Sequence, residues 1–131
     1  MNSERVESCG KRLAKALNIR GIKQVELSNR TNIPKSSISL YLKDAYEPKQ
    51  DRLYEIAKVL NISEVWLMGY DVPMERSDMQ KKNDQLVELI TLLRTDAEFL
   101  DLAQKLSKLT SEQRQSLKPI LSAFTQQQLM D

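Results

Sequence analysis

Apolar residues recur at helical spacing along most of this chain, and the recurrence divides it into short predicted helices. The first predicted helix covers residues 4–20 and begins after Ser3, a favourable N-cap. Gly21 follows it, where a helix C-terminus favours glycine. Its inward positions are Val6, Cys9, Leu13 and Leu17. We interpret Cys9 as a small buried hydrophobe, against the alternative of a reactive thiol. The basic residues off the inward stripe predict a solvated face: Lys11, Arg12 and Lys15.

Residues 23–43 predict two short helices joined by a tight turn. The first helix of the pair covers residues 24–31 and the second covers residues 35–43. Asn32 lies in the turn, and asparagine is the non-glycine residue that best tolerates a left-handed conformation. Pro34 suits the first position of a new helix. In the second helix the inward positions are Ile38 and Leu42, with Tyr41 on their flank.

Two further helices are predicted after a loop that contains Pro48. The fourth helix covers residues 51–60, and its inward positions are Leu53, Ile56, Ala57 and Leu60. Ser63 caps a short fifth helix over residues 64–68. Trp66 in this helix is interpreted as the cover of a small core, against the alternative of an aromatic platform for a nucleic-acid base.

The order and spacing of these positions resemble the Cro/CI-type (XRE family) DNA-binding domain of phage and bacterial repressors. The matching positions are Gln24, Leu27, Ser28, Ile33, Ile38, Ser39, Pro48, Leu53, Ala57, Leu60, Ile62, Trp66 and Leu67. The resemblance covers about residues 4–70 and implies an all-α fold with a five-helix, lambda-repressor-like helix-turn-helix domain. The family usually has Ala where this chain has Ser28, and Gly where it has Asn32 and Asp44.

The resemblance also implies which residues contact DNA. From inward-facing Ile38, a helical rotation of about 100° per residue places Ser36, Leu40 and Lys43 outward, and Lys35 lies at the exposed N-terminus of the helix. The residues expected to contact bases are Lys35, Ser36, Ser37, Ser39 and Leu40. Leu40 is suited to packing on a thymine methyl group, against the alternative of an incidental exposed apolar residue. The residues expected to contact the DNA backbone are Gln24, Lys43, Tyr46 and Lys49.

The second half of the chain predicts a helical region of a different kind. Residues 1–70 form the predicted DNA-binding domain, residues 71–80 a linker or an ordered connector, residues 81–128 three amphipathic helices, and residues 129–131 a tail. Asp96 and the pair Thr110 and Gln113 are predicted caps, and Pro119 is predicted to kink or break the third helix near Lys118. The apolar positions of the three helices are Leu86, Leu89, Ile90, Leu93, Phe99, Leu102, Leu106, Leu117, Ile120, Leu121 and Phe124.

These three helices span roughly 50 residues, a size that rarely buries enough apolar surface alone. We therefore expect them to form an oligomerisation region that packs against a second copy, in a homodimer or a higher homo-oligomer. The alternative is that they fold back on the DNA-binding domain.

Charge and composition agree with this division. Residues 1–70 hold 12 basic against 8 acidic side chains, and residues 71–131 hold 8 against 10. A basic first half fits nucleic-acid binding. The absence of histidine and the single cysteine make a zinc site very unlikely, and no cofactor is expected. The lone cysteine excludes an intramolecular disulfide, and no apolar run predicts a membrane span or a signal peptide, so we expect a cytoplasmic protein.

The sequence thus predicts a transcriptional repressor that binds double-stranded operator DNA. It is most like phage lysogeny repressors that lack a self-cleaving peptidase domain, because the segment after residue 80 is too short for one. Release from DNA is then expected to need another agent, such as an antirepressor protein. The alternative is a protein-interaction module of the antitoxin or inhibitor type with secondary DNA binding. An enzyme is the weakest alternative, since no set of acid, base, nucleophile or metal ligands can be assembled.

Overall fold

The computed structural model describes residues 4–130, and the side chains of residues 4–126. Within that range the chain is all-α, as predicted. It divides into two compact units, residues 1–84 (unit 1) and residues 85–131 (unit 2). The helices are α1 Cys9–Arg20, α2 Gln24–Thr31, α3 Lys35–Leu42, α4 Gln50–Leu60, α5 Glu64–Leu67, α6 Asp78–Thr95, α7 Ala97–Ser107 and α8 Ser111–Met130.

The core of unit 1 is built from the inward positions that the sequence predicts. The largest fully buried side chains come from α1 to α5 and the short segment between α4 and α5: Leu13, Leu27, Ile38, Ile56, Leu60, Ile62 and Leu67. Cys9 and Trp66 are also buried in this core, which confirms both interpretations. Burying one such aliphatic side chain stabilises a fold by roughly 1.5–3 kcal/mol. This shared core fixes α2 and α3 against the other helices.

Helix α1 begins later than predicted. The hydroxyl of Ser8 accepts a hydrogen bond from the Lys11 amide at 3.2 Å, so Ser8 is the N-cap. Val6 precedes the helix and is exposed, and its amide donates to the Gly69 carbonyl at 2.8 Å. The predicted start at residue 4 and the inward position of Val6 were therefore wrong. The predicted cap Ser3 lies outside the described residues.

Arg12 is buried, contrary to the prediction of a solvated basic face. Its Nε donates to Glu7 at 2.6 Å, and its Nη1 donates to the backbone carbonyls of Trp66 at 3.1 Å and Tyr70 at 3.3 Å. Each of these two carbonyls also accepts a backbone amide, from Gly69 at 2.9 Å and from Val72 at 3.0 Å, and a carbonyl oxygen has two lone pairs for two such bonds. Arg12 therefore ties α1 to the end of α5. Lys11 and Lys15 are exposed, as predicted.

The segment after α5 packs on unit 1 as an ordered connector. The Ser63 amide donates to the Met74 carbonyl at 2.8 Å. Arg76 is only 4% exposed, and its guanidinium donates to both carboxylate oxygens of Asp84, at 2.7 and 2.8 Å. This bidentate bond holds the pKa of Asp84 below its usual range. Unit 1 thus extends to Asp84, beyond the predicted linker of residues 71–80.

The helix termini of unit 2 carry the predicted caps. The Asp96 carboxylate accepts from the Phe99 amide at 3.0 Å, and Thr110 and Gln113 exchange the two bonds of a capping box at 2.9 and 3.2 Å. Helix α8 runs on through Pro119, so of the predicted kink or break the break does not occur. The proline cannot donate to the carbonyl four residues earlier. That carbonyl belongs to the exposed residue Gln115, where water can satisfy it.

Unit 2 presents its predicted apolar positions to solvent in this single chain. Phe124 is 64% exposed and Ile120 is 54% exposed. The other apolar positions that stay exposed are Leu86, Leu89, Ile90, Leu102, Leu106 and Leu121. Leu93, Phe99 and Leu117 are half-buried. None of the described helices has the length and apolar character needed to cross a membrane.

Candidate DNA-binding surface

The turn between α2 and α3 is fixed by its own side chains. Asn32 adopts the predicted left-handed conformation, with φ 59°. The Ser28 hydroxyl donates to the Ile33 carbonyl at 2.6 Å. Thr31 donates to the Leu27 carbonyl at 2.7 Å, and its hydroxyl accepts from the Ile33 amide at 3.3 Å. Serine at position 28 is small enough for the close crossing of α2 and α3, and its hydroxyl also bridges the turn.

Helix α3 is held by one buried face. Ile38 is fully buried, Tyr41 is 6% exposed, and half-buried Leu42 packs against the core. The Tyr41 hydroxyl accepts a hydrogen bond from Arg52 Nη1 at 2.9 Å, which raises the pKa of Arg52. Sequence reasoning missed this contact between α3 and α4. No local pattern indicates it, since the two residues become neighbours only when the helices pack.

The residues predicted to contact bases share the opposite face of α3. Lys35 and Ser36 are exposed in its first turn, and Ser37 and Ser39 are half-buried at its edges. Leu40 is 38% exposed, so part of its apolar side chain is open to solvent on this side of the helix. A short helix with a rigid inner face and a row of small polar, cationic and apolar side chains outside can enter a DNA major groove.

Two open depressions flank α3 and contain most of the residues predicted to contact the DNA backbone. Gln24 and Lys35 line the first depression. Leu40, Tyr46 and Lys49 line the second, whose volume is about 560 Å³. Lys43 is exposed at the C-terminal end of α3. The structure thus brings the predicted contact residues to α3 and its immediate surroundings.

The electrostatics around α3 also favour an anionic partner. Helix α2 begins at Gln24 without a side-chain cap, so its first amides are open to an external acceptor. The exposed cations near α3 are Lys23, Lys35, Lys43 and Lys49. Two acidic residues line the second depression: Glu47, whose charge is paired with Arg5, and Asp51, which lies beside the cation Arg52 in the same lining. The remaining positive charge can meet DNA phosphates.

Comparison with known families identifies the domain. The model of the family described as Helix-turn-helix (HTH_3) matches residues 13–67. This segment is an XRE-family helix-turn-helix domain. The predicted resemblance is therefore confirmed. The matched domain supports a DNA-binding transcriptional regulator, and the regulators that share this domain are not enzymes.

One curated relative and two solved structures extend the comparison. The chain is 29% identical over 93 residues to the HTH-type transcriptional regulator ImmR of Bacillus subtilis (strain 168), covering 71% of this chain and 73% of ImmR. A SinR protein/SinI protein complex matches with a TM-score of 0.44 and 16% identity, over 90% of this chain and 98% of the matched one. A transcriptional regulator from Listeria innocua matches with a TM-score of 0.45 and 19% identity, over 76% and 90%. Both TM-scores are below 0.5, so we draw no conclusion from these two structures.

Proposed function

We propose that this protein is a sequence-specific repressor of the phage or prophage CI-like type, acting in the cytoplasm by occupying an operator that overlaps a promoter. The observation that carries the proposal is the construction of α3. Ile38 and Tyr41 anchor its inner face in the core, while its outer face is open and bears the predicted base-contacting residues. A helix held in this way can present side chains to base edges with a defined geometry.

Base recognition is assigned to the outer face of α3. Lys35 at the start of the helix donates to guanine or to a phosphate, and Ser36, Ser37 and Ser39 supply short donors and acceptors. Leu40 packs on a thymine methyl group, since its exposed side chain offers an apolar surface and no hydrogen bond.

Affinity is assigned to the residues around α3. Gln24 binds a phosphate with the help of the uncapped N-terminus of α2. Lys43, Tyr46 and Lys49 contact the backbone after α3. Contacts of this kind orient the protein and make binding depend on salt, but they carry no direct sequence information.

Unit 2 is assigned to self-association. One domain of this size covers only a few base pairs, and helix-turn-helix proteins bind two half-sites about one helical turn apart as dimers. The exposed apolar positions of unit 2, among them Ile120 and Phe124, supply the surface that a homodimer or higher homo-oligomer buries. The operator is therefore an inverted repeat. An antirepressor protein that competes for this surface would release the DNA.

A protein-interaction module is the second candidate function, and the same exposed apolar surface favours it. An unrelated protein could cover unit 2 in place of a second copy, as expected for an antitoxin or an inhibitor. Sedimentation velocity of the purified chain separates the two candidates. Self-association at micromolar concentration supports the repressor, and a monomer at all concentrations supports the interaction module.

The assignment of base contacts is tested with two matched variants of the full chain. Binding to a panel of operators with single base changes is measured for Leu40→Ala and Lys49→Ala. Leu40→Ala should change the preference at one base pair, where loss of a good contact amounts to about 1–3 kcal/mol. Lys49→Ala should weaken all duplexes alike. Equal shifts on every duplex for both variants would show that Leu40 does not contact a base.

A further inference from the structure

The loop that follows α3 ends the helix with an unusual residue. Asp44 has a left-handed conformation, with φ 59°. Its amide donates to the Tyr41 carbonyl and the Ala45 amide donates to the Leu40 carbonyl, both at 3.0 Å. This pair of bonds is the Schellman arrangement, and its left-handed position strongly favours glycine because a side chain there is strained. An aspartate at this position therefore needs a compensating contact.

That contact is made with the beginning of α1. The Asp44 Oδ1 accepts a hydrogen bond from the Gly10 amide at 2.8 Å. Gly10 is the second residue of α1, where the backbone amide has no acceptor within its own helix. Ser8 accepts from Lys11 and leaves the Gly10 amide to Asp44. The negative charge of Asp44 also suits the positive end of the helix.

The contact brings the backbones of α1 and α3 close together. A Cβ at Gly10 would lie 2.7 Å from Asp44 Oδ1, 2.7 Å from the Tyr41 carbonyl oxygen and 2.8 Å from that of Leu42. No side chain thus separates the first turn of α1 from the last turn of α3. We refer to the bond between the Asp44 carboxylate and the Gly10 amide as the Asp44–Gly10 latch.

We propose that Asp44 is a positioning residue for sequence-specific DNA binding. The Asp44–Gly10 latch fixes the C-terminal end of α3, and Leu40 lies one turn before it on the outer face. Contacts with base edges depend on the position of the helix, because hydrogen bonds weaken steeply with distance and angle. Attraction to phosphates is less directional. Loss of the latch should therefore reduce discrimination between DNA sequences more than it reduces binding to DNA in general.

Two substitutions isolate the acceptor from the charge. Asp44→Asn keeps an amide oxygen at the acceptor position, and asparagine tolerates the left-handed conformation. Asp44→Gly removes the acceptor and also relieves the backbone strain. Both variants lose the same negative charge, so any general gain in attraction to DNA is equal in the two. The two variants differ in the acceptor and in backbone strain. Relief of strain stabilises the fold, so a loss in Asp44→Gly that Asp44→Asn does not show is assigned to the missing acceptor.

The latch itself is observed through the amide of Gly10. The chain has three glycines, so few peaks share the glycine region of a ¹H–¹⁵N spectrum. In Asp44→Gly the Gly10 amide should shift and exchange with solvent faster than in wild type, whereas Asp44→Asn should retain most of its protection. Because the variant adds a glycine, Gly10 is assigned in each spectrum. An unmoved and equally protected Gly10 amide in Asp44→Gly overturns the latch.

The functional part of the inference rests on the proposed function and is measured as selectivity. An operator is first selected from randomised duplexes with the wild-type chain, and dissociation constants are then compared for that operator and a scrambled duplex. Selectivity is the dissociation constant for the scrambled duplex divided by that for the operator. Asp44→Gly should lower this ratio about fivefold, the equivalent of one ordinary hydrogen bond, and Asp44→Asn should stay within about twofold of wild type.

Three results separate the two claims. If Asp44→Gly frees the Gly10 amide but keeps wild-type selectivity, Asp44 does not position α3 for DNA binding. Equal loss of selectivity in both variants assigns the effect to the charge and overturns the role of the acceptor. If the wild-type chain selects no sequence, the proposed function fails and the positioning role falls with it, while the Gly10 amide still tests the latch.

Discussion

The ion pair between Arg76 and Asp84 should contribute measurably to the stability of unit 1. The Arg76 side chain is 2% exposed and the Asp84 side chain 12% exposed. Asp84→Asn replaces one acceptor oxygen with a donor that faces the guanidinium. The change removes a charge-assisted hydrogen bond and leaves a buried donor without a partner. The guanidinium keeps two other acceptors, the Ile62 carbonyl at 3.0 Å and Glu64 at 3.1 Å. We therefore expect a loss of about 3 kcal/mol, the lower end for a broken buried pair.

The assay for this prediction uses the single tryptophan of the chain. Trp66 lies in the core of unit 1, so its fluorescence during urea unfolding follows that unit. Glu75→Gln is the matched control, because Glu75 pairs with Arg20 at 3.2 Å but its side chain is 69% exposed. The control should lose less than about 1 kcal/mol. Equal small losses in Asp84→Asn and Glu75→Gln would refute the claim that burial makes the Arg76 pair important.

Four further predictions concern pH, packing, salt and assembly. Arg76 lowers the pKa of Asp84, so the pair stabilises the fold fully above about pH 4, the unfolded pKa, and is lost as the pH falls through the folded pKa. We therefore expect the difference in the free energy of unfolding between wild type and Asp84→Asn, measured with urea, to shrink as the pH falls. A difference that stays constant with pH would contradict this. Gly10→Ala should lower the free energy of unfolding by about 2 kcal/mol through overpacking, and an increase would refute the close approach of α1 and α3. Lys49→Ala should reduce the steepness of the plot of log association constant for DNA against log salt concentration by about 1. An unchanged slope would mean that Lys49 contacts no phosphate. Phe124→Ser should shift the sedimentation coefficient towards that of the monomer. An unchanged coefficient would mean that Phe124 is not part of the contact between copies of the chain.

The helices of the DNA-binding domain were predictable because their signals are local. The predicted limits of α2, residues 24–31, are the observed ones, and the apolar spacing gives the buried face of α3 through Ile38. The left-handed Asn32 follows from the preference of its own residue type. The position of α3 could be predicted for the same reason, since its inner and outer faces are set by spacing along one helix.

The buried arginines were not predictable from local pattern. Arg12 lies off the apolar stripe of α1, and the carbonyls that it satisfies are 54 and 58 residues away in sequence. Arg76 lies in a stretch without periodicity, yet it joins Asp84 and the Ile62 carbonyl. Burial of a charge depends on partners that only the tertiary structure brings together. The sequence therefore left a linker and an ordered connector as alternatives for this segment, and it did not indicate the partners of Arg76.

Local signals also competed in two places. Ser3 and Ser8 both precede apolar residues at helical spacing, but the Val6 amide bonds to the Gly69 carbonyl and the helix begins only after Ser8. Pro119 predicted a kink or a break in α8, and the helix is not broken there. A proline inside a helix frees only one carbonyl, and an exposed helix can satisfy that carbonyl with water. The roles of individual residues in DNA contact and oligomerisation stay predictions.

Selection of bound duplexes from a randomised pool with the full chain tests the central claim most directly. The selected duplexes should contain one short motif in two inverted copies, with centres about one helical turn of DNA apart. Enrichment of no sequence would contradict the claim that the outer face of α3 recognises an operator.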